Sequence, residues 1–175
     1  TAHFKTVPKL EAVSCWDFYS DPNATNMDDS EYVIQRHSFN RQQFADLIKR
    51  PLFDADAIRA CLEVGPNYQT RSYESSLFDR ENVENLYKNR FEVLEYWGII
   101  DKNIADEIGF KYDDALDIVS VNVWICGGQV LRCVQNPFTP TRLPYMVCPY
   151  EVNPYQFFGV GVPENMEDSQ AVMNG

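Results

Sequence analysis

The chain has 175 residues, 45% of them hydrophobic and 14% aromatic, the composition of a folded domain that buries about two thirds of its extended surface. Fifteen basic and twenty-six acidic residues give a net charge of −11, which excludes the basic footprint of a DNA-gripping domain, and no apolar run reaches the roughly 18 residues of a membrane span. Five cysteines, Cys15, Cys61, Cys126, Cys133 and Cys148, are odd in number and form no C-x-x-C pair, which argues against a disulfide framework and a zinc site and predicts reduced core thiols.

In chain order, Leu10 to Phe39 reads as two strands around a polar loop from Asp21 to Ser30. Asn40 and Gln43 have the spacing of a capping box, and Phe44, Leu47 and Ile48 mark one helix face before Pro51. Asp54 is placed to cap a second helix with Ile58, Cys61 and Leu62 on its buried face, stopped by Gly65-Pro66. A third helix is predicted from near Asp79, then a strand over Phe91 to Ile100 and a short helix from Asp101 to Ile108 closed by Gly109.

The strongest local signal is a hairpin of Ile118 to Cys126 and Gln129 to Val134 around Gly127-Gly128. A simple two-residue turn sets Cys126 opposite Gln129, Ile125 opposite Val130, Trp124 opposite Leu131 and Asn122 opposite Cys133, so that Cys126 and Cys133 are not partners. A return strand is predicted over Leu143 to Tyr150, made irregular by Pro144 and Pro149. Pro163 and Glu164 mark the start of a last helix, which is cut after at most about three turns. With Thr1 in place of Met at the start, a fragment is expected, and the fold class predicted is α+β in a single domain over residues 1–175.

The search for chemistry returns no catalytic, cofactor or metal residues. His37 falls at a strand end without a nucleophile in any motif, and His3 sits near the end of the chain. The Asp21 to Asp29 loop offers alternating oxygens but has Asn26 and Tyr32 where a calcium loop needs Gly and Glu. The adjacent pairs Asp28-Asp29, Asp113-Asp114 and Glu167-Asp168 diverge on any regular backbone and read as solvated charge. Phe158-Gly-Val-Gly161 lacks the third glycine or lysine of a phosphate loop.

Read in order, the motifs resemble the portal, or head-to-tail connector, family of tailed bacteriophages. Val13-Ser-Cys-Trp-Asp-Phe-Tyr-Ser-Asp-Pro-Asn-Ala24 is similar to its aromatic-acidic-aromatic strand and Asp-Pro-x-Ala loop, carried by Trp16, Asp17, Asp21, Pro22 and Ala24. Val123 to Arg132 with Gly127 and Gly128, then Asn136-Pro-Phe138 and Leu143-Pro-Tyr145, resemble its hairpin and return strand, and Pro149-Tyr150 leads into the motif that follows. Phe158, Gly159, Gly161, Pro163 and Glu164, followed by Gln170 and Asn174, resemble its last motif, while residues 67–112 carry little that matches.

The resemblance implies the wing region of a structural subunit, with a stem and a clip expected beyond residue 175. It further implies a virion ring of about twelve portal subunits at one capsid vertex, assembled in the host cytoplasm. The implied partners are the capsid protein, the terminase and the tail adaptor, and DNA would pass without tight binding, with no membrane and no cofactor involved. Two other readings of the residues stay open: a small intracellular enzyme, which would show a concave pocket with a perturbed His37 or carboxylates, and an acidic protein-binding module.

Overall fold

Alternating apolar and polar residues give the chain its main element, an antiparallel sheet. The computed structural model describes residues 10–71, 74, 89–111, 118–138 and 140–174. Its strands are β1 (Phe18–Ser20), β2 (Tyr32–Asn40), β3 (Arg90–Asp101), β4 (Ile118–Cys126) and β5 (Gln129–Gln135), neighbours in that order with β1 and β5 at the edges. The predicted third helix near Asp79 and the Asp113-Asp114 pair lie outside the described residues.

The β2–β3 register pairs Phe39 with Phe91 and His37 with Val93, and the β3–β4 register pairs Glu95 with Trp124. With a side-chain period of two, this places Phe91, Val93, Trp124 and Cys126 on one face. That face is buried under α1 (Arg41–Asp46), the 3₁₀ turn Leu47–Lys49 and α2 (Ala55–Val64), through Phe44, Leu47, Ile58 and Cys61. Phe44 and Phe91 stack with centroids 4.6 Å apart and neither is exposed to solvent. The opposite face collects Ile100, Val119, Val121 and Val123 against Ala105 of α3 (Lys102–Ile108).

The caps form as their spacing predicts. Asn40 Oδ1 accepts from the Gln43 amide at 2.8 Å, and the Gln43 side chain accepts from the Asn40 amide at 3.0 Å, which closes the capping box of α1. Asp54 Oδ1 accepts from the amides of Asp56 and Ala57 and starts α2. Trp16 is not in an extended strand as expected: Ser14 caps a 3₁₀ turn over Cys15–Asp17, and β1 begins only at Phe18.

The hairpin turns at Gly127 and Gly128, whose φ values of 54° and 82° are both positive, as a primed turn requires. Cys126 faces Gln129 and Ile125 faces Val130, as expected. Beyond them a β-bulge corrects the predicted register: Trp124 pairs with Arg132 instead of Leu131, and Asn122 with Val134 instead of Cys133. The extra residue is Leu131, fully buried in the core under the helices, whose carbonyl accepts from the Asp54 amide at 2.8 Å. Cys133 faces Val123, so Cys126 and Cys133 are not partners.

Leu143 to Tyr150 does not form the predicted return strand. Pro144 and Pro149 remove two ladder donors, and pairing in this part of the chain reduces to one isolated bridge between Glu151 and Val160. The last helix, α4 (Val162–Asn174), starts one residue before Pro163 and buries no side chain. All five cysteines are free, but Cys15 and Cys148 are exposed, so only Cys61 and Cys126 are fully buried core thiols. Burial pushes the Cys126 thiol up to about 12.

Candidate functional site

The two ends of the motif series meet on the helix-bearing face of the sheet, beyond the reach of α1 and α2. Asp21, 4% exposed, anchors the loop between β1 and β2. Its Oδ1 accepts from the Asn23 amide at 2.9 Å and its Oδ2 from the Glu31 amide at 3.4 Å, while its carbonyl accepts from the Ala24 amide. The aspartate-proline turn therefore folds on its own side chain. Ala24 is buried at its end, and Pro22 is exposed.

From the other end of the chain, Tyr145 donates its hydroxyl to Gln35 of β2 at 2.8 Å. Its ring packs on Phe18, centroids 5.1 Å apart, and Phe157 stacks on the same Phe18 at 6.0 Å. Burial raises the Tyr145 hydroxyl above its ordinary pKa, so it stays protonated as a donor. Gly159 is required by close approach: a Cβ there would stand 2.1 Å from the Glu151 carbonyl oxygen and 2.6 Å from Pro149 Cβ. Between the two segments runs an open groove of about 280 Å³, lined by Met27, Pro149, Val152, Phe157 and Gly159 among others.

Pro149 and Gly159 thus line one groove with Met27 of the loop that Asp21 anchors, while Asp17, 3.6 Å from Arg36 of β2, belongs to the other face of the sheet. Gly127 and Gly128 lie elsewhere, at the hairpin turn beside Asn67. Tyr150 and Phe158 are exposed, a Cβ at Gly161 would meet only Pro163 Cδ at an ordinary 3.6 Å, and Pro163, Glu164, Gln170 and Asn174 sit on the exposed α4.

Two polar clusters inside the sheet escaped the sequence reading. The Arg36 side chain, 1% exposed, reaches Glu92 at 3.0 Å, Glu74 at 3.1 Å and the Gln69 carbonyl at 2.9 Å, and its guanidinium lies 4.3 Å over the Tyr68 ring. Burial raises the Asp17 carboxyl above the ordinary range, opposed by Arg36 and Arg71 and reinforced by Glu74. On the opposite face, Glu95 accepts from His37 at 2.8 Å, from the Trp97 indole at 2.7 Å and from Asn122 at 3.0 Å. Asn122 in turn accepts from the Trp124 indole at 3.1 Å, and the His37 ring packs beside both Phe39 and Trp124, with centroids 5.6 Å and 4.9 Å away. Burial alone would raise the Glu95 carboxyl, but these bonds and the His37 charge outweigh it and hold it below the ordinary value. The signal in the sequence was charge inside apolar strands, Arg36 in β2 and Glu92 and Glu95 in β3, which demands partners across the ladder.

Among the described residues no group of three or more His, Cys, Asp or Glu side chains is arranged to hold a metal ion, and no helix is long and apolar enough to cross a membrane. The polar groups of these clusters tie one element of the fold to another. The sequence matches the phage SU10 portal protein model over residues 2–173. With nearly the whole chain matched, the protein belongs to this portal family. No curated protein gives a significant match.

Proposed function

We propose that this chain builds the wing of a portal subunit, a non-enzymatic part of a ring of about twelve copies at one capsid vertex. DNA enters and leaves the capsid through that ring, and the terminase, the capsid protein and the tail adaptor dock on it. Assembly takes place in the host cytoplasm and the ring stays in the virion. The observation that carries this reading is the portal family match over residues 2–173. The α+β sheet and its helices supply the wing, and the stem and clip belong to other parts of the same subunit. The charge of −11 fits a conduit, since a duplex moving past an acidic wall is not held by phosphate contacts. Gold-labelled antibody against this chain, applied to opened virions, should mark one vertex per particle. Label spread over all vertices, or absent from particles, would overturn the proposal.

A further inference from the structure

We draw no further inference here: the strongest candidate, the open groove between the β1–β2 loop at Met27 and the segment that carries Pro149, Val152 and Phe157, is an apolar surface, and nothing in the structure shows what covers it.

Discussion

Removing Arg36 tests whether the buried charge cluster holds the sheet to the segment that follows α2. Its side chain is 1% exposed, and Arg36→Met leaves Glu74, 8% exposed, and Glu92, 20% exposed, facing each other without their shared cation. It also strands the Gln69 carbonyl and the Tyr68 ring. Breaking a buried ion pair from one side costs about 3–5 kcal/mol, since the orphaned charge stays behind. For a domain of this size that corresponds to a fall in Tm of about 10 °C. Thermal unfolding followed by far-UV circular dichroism measures it directly. Adding Glu92→Gln to Arg36→Met should recover part of the loss by removing an uncompensated carboxylate. A fall of under about 2 °C for Arg36→Met, or a further loss on adding Glu92→Gln, would refute the reasoning, because it would place the cluster in the weak regime of solvated pairs.

Glu95 sets a pH dependence: its carboxyl is held below the ordinary value, so it contributes stability that is complete above about pH 4.5, the unfolded range, and is lost as pH falls through the folded value. Unfolding curves from pH 7 to pH 3 should therefore show a fall in Tm below about pH 4.5 that is reduced in Glu95→Gln. Gly159→Ala should open the C-terminal loop to limited proteolysis because its Cβ would meet the Glu151 carbonyl at 2.1 Å, whereas Gly161→Ala, with Pro163 Cδ at 3.6 Å, should digest like the parent. Thiol titration should return five free thiols in denaturant without reductant. In the folded protein Cys15 and Cys148 should react first and Cys61 and Cys126 last. A count of three in denaturant, or fast reaction of Cys126, would contradict the structure.

What the sequence made legible is what short-range chemistry decides. The Asn40 and Gln43 box, the Asp54 cap and the Gly127-Gly128 turn each act within a few residues, and all three form as read. The register beyond the turn did not follow, because Leu131 is drawn into the bulge by burial under α2 and by the Asp54 amide, a contact 77 residues away in sequence by the numbering. The partners of Arg36 and His37 come from β3 and the segment before it, so their roles depend on a pairing that no local pattern announces. Proline broke the predicted return strand, and the chain over Tyr145 to Phe157 is held instead by the Phe18 ring and the Gln35 side chain. The motif series pointed to the right family, but its members divide between buried anchors such as Asp21 and Gly159 and exposed positions such as Tyr150 and Gln170. Spacing alone does not separate those two kinds.

The central claim is that this chain is part of a portal ring. Negative-stain electron microscopy of the purified portal protein that carries it is the most direct measurement. The account predicts closed rings of uniform subunit number with a stain-filled central hole in end-on views. Discrete particles without a hole, at concentrations where the protein is folded and pure, would contradict it.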